Sequence, residues 1–488
     1  MLKTIMSLDL NPMSMAIASL IIILSLVIQV FSHNYLDGDK AKTSFLVKIN
    51  LLTVLMLFLI LTNYLWTFFG AWFVSNILLV SLMIHKSSWR QALKSGEIAL
   101  SFLSIGFICL FLAIFTLNSQ YDINFFSDLL ATKLDQKLII GFALLIPAMI
   151  QSAQIPFSKW FLSSLNSPTP VSAFMHAGLI NGGGILLIKF FPLIKSCELL
   201  MNLIFVIGSI TALLCSASML VQTKIKNKLA CSTAGQMGFM FMEIGAGLIH
   251  VAVLHLIMHG LYKSYLFLNS SSVVFEKVKD SLKNEVLRRN PPNKNFKDPL
   301  PEPRFSLGSG LKNRRSRIFQ WILKVSKFNV NPIFDLLASS LVASIVTIIF
   351  SYLAGINNGF KSTETLMLAF TFVSVAQFIF SAIKTNPSIS FRASVFTIAV
   401  FITLGFAFII RTFHESISES WLSSSVEASL IHYFIILLVL FIWLAINVSA
   451  VFKLELENSL RKRLYMFLVN FAKPFDKTVT TQRKYYAY

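Results

Sequence analysis

Stretches of about twenty apolar residues, repeated along nearly the whole chain, leave it few ways to fold. Each is long enough to cross a hydrocarbon core of roughly 30 Å at about 1.5 Å rise per residue in a helix. A membrane strand would need only about ten residues and would alternate polar with apolar side chains, so the runs predict α-helices, which pair their own backbone groups. We read spans near 12–32, 44–62, 64–85, 97–117, 137–154, 170–191, 200–222, 229–248, 249–275, 333–354, 365–384, 393–411 and 429–452. The expected fold class is all-α, a polytopic membrane protein of about thirteen transmembrane helices. With 55% hydrophobic residues, 13% charged residues and a mean hydropathy of +0.71, no soluble class fits.

The formal net charge of +20 lies in the loops. Lys and Arg cluster at 86–94, 224–228, 277–327 and 453–463, each beside an apolar run, which is how an inner-membrane protein marks its cytoplasmic side and not how a nucleic-acid binder is built. Threading the spans alternately puts Lys86, Arg90 and Lys94, then Lys159, then Lys224, Lys226 and Lys228 on one face. The poorly basic 118–136 loop and the acidic 412–428 loop fall opposite. The expectation is a bacterial inner-membrane protein with its N-terminus outside and its C-terminus cytoplasmic. The N-terminus lacks the charged start and cleavage site of a secretory signal, so the first span is expected to be retained.

Four segments follow: a transmembrane core over 1–275, a basic loop over 276–328, a second bundle over 329–453 and a C-terminal segment over 454–488. The loop carries fourteen basic residues against five acidic ones. Two readings of it stand, a docking surface for an acidic partner or anionic headgroups, and topology-fixing charge with no further role. The stretch 454–474 reads as an interfacial helix or a contact for a partner subunit.

No pair among Cys109, Cys197, Cys215 and Cys231 has metal-ligand or redox spacing, and no glycine-rich phosphate loop is present. No cofactor, metal or catalytic residue is therefore expected in this chain. The chemistry-bearing groups are ionisable side chains inside spans, each costing on the order of 3 kcal/mol. Lys189, Lys384, Glu243 and Glu364 lie near span ends and Lys48 a turn inside its span, where long side chains snorkel to the interface.

The span 249–275 differs, because His255, His259 and Lys263 follow at successive i, i+4 spacing on one helix face. Lys263 lies too deep to snorkel and must face protein, water or a counter-charge. Two imidazoles and an amine in a row can pass a proton along a hydrated file. They can equally form a polar stripe that glues helices together. A zinc site on His255 and His259 lacks a visible third ligand.

A second constellation runs from Gln151-Ser152-Ala153-Gln154-Ile155-Pro156 through Asn166-Ser167-Pro168-Thr169-Pro170 to His176 and Asn181-Gly182-Gly183-Gly184. A span stops at a proline, a polar turn follows and the next helix starts at Pro170, which predicts a broken helix near Pro156–Pro170. The three glycines suit close backbone approach or local unwinding. His176 joins His255, His259 and Lys263 as a candidate for an ion path, with Gln151, Asn181 and Lys228 as candidates for its continuation or gate.

In this order, the motifs resemble the antiporter-like proton-translocating subunits of respiratory complex I and multisubunit cation/proton antiporters, over roughly residues 7–275. The most specific matches are Ser152-Ala153-Gln154-Ile155-Pro156, Pro168-Thr169-Pro170-Val171-Ser172-Ala173 with His176, Gln236-Met237-Gly238, and His255-Leu256-Ile257-Met258-His259 with Lys263. Within that superfamily, His176-Ala177-Gly178-Leu179-Ile180-Asn181-Gly182-Gly183-Gly184, Ala71-Trp72 without a following acid, and Trp89-Arg90-Gln91-Ala92 are similar to the DabB-type branch. The chain departs from the wider pattern at Phe73, where a Glu is usual after the tryptophan, and at Gln151, where a Lys is usual before Ser-Ala-Gln.

The resemblance implies an antiporter-like fold and a membrane subunit of an energy-coupled inorganic carbon (bicarbonate or CO2) uptake complex. Such a subunit conducts protons or Na⁺ to drive a soluble DabA-like, carbonic-anhydrase-like partner that carries the catalytic zinc. Two alternatives stand beside it: a proton-translocating subunit of complex I or a cation/proton antiporter, and a non-conducting membrane anchor for a soluble enzyme.

Overall fold

Pro12 presets the first helical φ, and Asn11 Oδ1 accepts the Ser14 N–H at 2.7 Å, so the first apolar run begins as helix α1 (Pro12–Tyr35). The computed structural model describes residues 8–130, 135–221, 225–268 and 332–353, with Val400 and Phe434. After α1 come α2 (Lys42–Leu61), α3 (Leu65–Met83), α4 (Arg90–Tyr121), α5 (Lys137–Gln151), the short α6 (Lys159–Ser163), α7 (Thr169–Ala177) and α8 (Gly182–Lys189). The short α9 (Phe191–Lys195), α10 (Glu198–Val221), α11 (Ile225–Gly245), α12 (Ile249–Leu268) and α13 (Pro332–Leu353) complete the set. No sheet forms among the described residues.

Seven of these stretches are long and apolar enough to cross a membrane: α1 to α4, Thr169–Lys189, Glu198–Met219 and α12. The spans expected at 365–384, 393–411 and 429–452, the 276–328 loop and the C-terminal segment lie outside the described residues. Within the helices, buried hydroxyls return their proton to the preceding turn, as Ser32 does to the Ile28 carbonyl and Thr53 to that of Ile49. Ile22, Val30, Ile108 and Leu112 stay exposed, as suits a lipid-facing belt.

The stretch Thr169–Lys189 occupies the centre, because every residue of its apolar window is buried by neighbouring helices. A short 3₁₀ turn, Leu179–Asn181, interrupts it between α7 and α8. The preceding run, read from sequence as 137–154, is helical only to Gln151. Beyond it the chain turns, with Ala153 at φ 50°.

At one end of the bundle Asp9 N–H donates to the Leu61 carbonyl at 2.6 Å, and Leu65 N–H to that of Asn124 at 2.9 Å. Lys189 reaches this end and turns inward. Its Nζ donates to the Thr62 carbonyl at 2.9 Å, lies 3.8 Å from Asp9 Oδ2 and sits 4.8 Å from the centre of the Phe126 ring. The expectation of a snorkelling Lys189 thus gives way to a buried tether, since a carbonyl, a carboxylate and a ring face hold the 5% exposed residue. Lys189→Ala leaves Asp9 and the Thr62 carbonyl without their cation. We expect a loss of about 1–3 kcal/mol, seen as a lower thermal midpoint in detergent, and an unchanged midpoint would show the tether to be idle.

Candidate functional site

Helices α11 and α12 form a tight antiparallel hairpin. Leu248 N–H closes on the Glu243 carbonyl at 2.8 Å and Gly247 takes the left-handed φ of 79° that the turn needs. On α11, Ser232, Gln236, Met240 and Glu243 recur every three to four residues and so share one stripe. On α12, His255, His259 and Lys263 do the same, and folding the hairpin lays the two stripes face to face.

His255 is held at both ring nitrogens. Nδ1 lies 3.0 Å from each Glu243 carboxylate oxygen, and Nε2 lies 2.9 Å from Gln236 Oε1. A carboxylate only accepts, so Nδ1 carries a proton. Nε2 carries one too with Gln236 oriented as found, whereas a half-turn of that amide would offer an N–H to a neutral ring. Lys263 Nζ donates to Ser232 Oγ at 2.8 Å. The His255 and His259 rings stand 6.2 Å apart, edge to face. Side-chain exposure is 21% for Glu243 and 17% for His255, while the whole Lys263 residue is only 1% exposed, so the row has one partly open end and a buried interior.

His176 lies on α7, stacked at 3.9 Å on Phe267 of α12 and packed at 4.4 Å against Phe161. It is fully buried, and the Phe267 ring it stacks on lies one turn beyond Lys263 on α12. Neither ring nitrogen of His176 or His259 has a hydrogen-bond partner among the described residues. The structure therefore gathers all four principal candidates at one locus without joining them by an unbroken chain of direct hydrogen bonds.

Gln151 and Asn181 sit beside this locus in another capacity. The interruption between α7 and α8 frees backbone carbonyls, and side chains take them up: Asn181 Nδ2 donates to Ala177 O at 2.8 Å, Gln151 Nε2 to Leu179 O at 3.2 Å and Ser152 Oγ to Ile180 O at 2.7 Å. Irregular backbone at membrane depth survives only with such partners. Gly260 lets α12 press against the same place, since a Cβ there would come within 2.8 Å of the Ala177 carbonyl oxygen. Lys228 is exposed on the first turn of α11, apart from the buried row. Phe73, standing where a Glu is usual, is 40% exposed and stacks at 4.3 Å on Phe107, so α3 offers an aromatic surface at that position.

Sequence reasoning missed Glu243 as a partner of the row. The signal was faint: twelve residues separate it from His255, across a turn.

Residues 62–291 match the family described as NADH:quinone oxidoreductase/Mrp antiporter, transmembrane. The chain is 34% identical over 281 residues to the "Probable inorganic carbon transporter subunit DabB1" of Halothiobacillus neapolitanus, covering 55% of this chain and 50% of that protein. It is 32% identical over 269 residues to "NADH-ubiquinone oxidoreductase chain 5" of Schizophyllum commune, covering 54% of this chain and 39% of that one. The chain spans about half or less of the length of the relatives it matches. Among solved structures, a chain of the Mrp complex from a Dietzia species superposes with a TM-score of 0.54 at 19% identity, over 96% of this chain and 53% of that chain, a likeness of fold.

Proposed function

We propose, from the premise that this chain is an antiporter-like subunit whose residues 62–291 belong to the NADH:quinone oxidoreductase/Mrp antiporter family, that it conducts protons or Na⁺ in an inorganic-carbon-accumulating complex. Conduction would supply free energy to a soluble DabA-like, carbonic-anhydrase-like partner, which would hold the zinc and do the carbon chemistry. Support for the carbon branch comes from the 34% identity to the probable inorganic carbon transporter subunit DabB1. The interruption between Gln151 and Thr169 serves, in this reading, as the broken helix of the antiporter fold, and the lysine-rich end faces the cytoplasm.

The observation that carries conduction is the row itself. Glu243 and His255 form its half-open mouth, His259 and Lys263 its interior, and His176 the wall beyond. Among the described residues the four ring nitrogens of His176 and His259 have no partner, and leaving such a nitrogen buried and unpaired costs about 1–3 kcal/mol. A path that admits a proton or a hydrated cation would give those nitrogens partners. The test is flux: the full complex in proteoliposomes, loaded with a pH-sensitive dye, acidifies or alkalinises under an imposed gradient, with and without Na⁺. Vesicles that stay tight would leave only the membrane anchor for a soluble enzyme.

A respiratory role is the second reading, favoured by the similarity to NADH-ubiquinone oxidoreductase chain 5. Company decides between them. A large soluble zinc protein co-purifying with the chain fits the first, and iron–sulfur subunits fit the second.

Glu243→Gln tests the mouth. It keeps the shape and removes the charge that pairs with His255, so a charge-assisted hydrogen bond becomes an ordinary one. Flux is expected to fall about tenfold, with Glu243→Asp retaining more of it. Wild-type flux in Glu243→Gln would remove this residue from the path.

A further inference from the structure

At the end of the bundle opposite the Asp9–Lys189 pair, a cavity of about 780 Å³ opens between three turns and the start of α11. Its wall takes in Asp37, Asp39 and Lys40 from the α1–α2 turn, Lys86 and Trp89 from the α3–α4 turn, and Lys226 from α11. The two carboxylates are engaged with other groups. Asp39 accepts the Ala41 N–H at 2.9 Å and lies 3.1 Å from His85 Nε2, and these bonds hold its carboxyl below the usual range. Asp37 turns to solvent and pairs with Lys42 at 3.4 Å.

The lysines have no such arrangement. Among the described residues, none of Lys40, Lys86 and Lys226 forms an ion pair. Lys226 is half-buried, so its side chain is partly withdrawn from water, and among the described residues no carboxylate forms an ion pair with it. Three cations line one concave space beside two carboxylates that are engaged elsewhere, with Lys86 acting on Asp39 from beyond ion-pair distance, and the excess positive charge attracts an anion. The rest of the wall narrows the choice: Tyr35 and Trp89, both well exposed, are the residue types that settle at headgroup level.

We propose that this cavity binds the phosphate group of an anionic membrane lipid, with Lys40, Lys86 and Lys226 around the phosphate and the exposed rings of Tyr35 and Trp89 against the glycerol. Free phosphate would satisfy the same lysines but would leave the two exposed aromatic rings without an occupant. The site is independent of the ion path, and its failure would leave that reading untouched.

The experiment titrates the delipidated full-length protein with dioleoyl-phosphatidylglycerol, dioleoyl-phosphatidylcholine or inorganic phosphate, and counts bound molecules by native mass spectrometry. Phosphatidylglycerol is expected to bind at least tenfold more tightly than phosphatidylcholine. Each Lys→Gln change is expected to weaken it about fivefold, and the triple variant Lys40→Gln/Lys86→Gln/Lys226→Gln about a hundredfold. Lys226→Arg retains binding, and Lys226→Gln alone serves should the triple variant fail to accumulate. Equal binding of the two lipids, or unchanged phosphatidylglycerol binding in the lysine variants, overturns the proposal. Lysine-dependent binding of inorganic phosphate at an affinity matching that of the lipid overturns the lipid assignment.

Discussion

Lys263→Ala is expected to cut ion flux by at least about a hundredfold while leaving the amount of protein in the membrane near wild type. The two halves of that expectation have different causes. Flux falls because the amine is an almost fully buried titratable group of the row, and no other buried titratable side chain among the described residues of α12 follows His259. A gap in a proton file costs the full barrier of the missing step, and roughly 2.7 kcal/mol already accounts for two orders of magnitude. Stability changes little because opposing terms meet. Alanine frees the fold from desolvating an ammonium and has the best helix propensity, while Ser232 Oγ loses its donor, worth about 1–2 kcal/mol. Dye-reported flux in proteoliposomes and an immunoblot of the membrane fraction read the two halves separately. His259→Ala is expected to behave alike, and wild-type rates from both variants would sink the conduction reading.

Gly183→Val is expected to do the reverse, abolishing accumulation of the folded chain whatever its transport role. A Cβ at this position would overlap the Ala148 carbonyl oxygen and come within 2.5 Å of Ser152 Oγ. Neither can step aside cheaply. The first is backbone of α5, and the second donates to the Ile180 carbonyl that the interruption leaves unpaired. Overpacking against backbone in a fully buried helix costs upwards of about 3 kcal/mol, a large share of the stability of any domain. Gly183→Ala should lie between the two, with a thermal midpoint measurably below wild type. Native-like accumulation and melting of Gly183→Val would show that α5 and α8 are not in the contact described.

The long apolar runs were legible because lipid leaves the backbone so little choice, and the row on α12 because i, i+4 spacing keeps residues on one face of any helix. What stayed hidden depends on contacts between distant residues. Glu243 reads as a snorkelling side chain by its place near a span end, yet the hairpin brings it to His255. Lys189 reads the same way, yet the Thr62 carbonyl, 127 residues earlier, and Asp9 draw it inward. Lys48 likewise finds Ser81 at 2.8 Å on the neighbouring helix. Interface seeking is the default for long charged side chains, and only the packed bundle reveals where a closer partner wins. Gln151 and Asn181 were legible as polar residues near a break, but their task of taking up freed carbonyls depends on which groups the break exposes.

Three side-chain bonds from Gln151, Ser152 and Asn181 secure the middle of the central helix, two of them to α5, whereas α12 meets α7 through a stacked ring pair and a close backbone approach. Directional bonds resist sliding and flat contacts tolerate it. Were the two sides of the membrane to be served in turn, the shear plane would run along α12, with α5 and the central pair acting as the fixed stator.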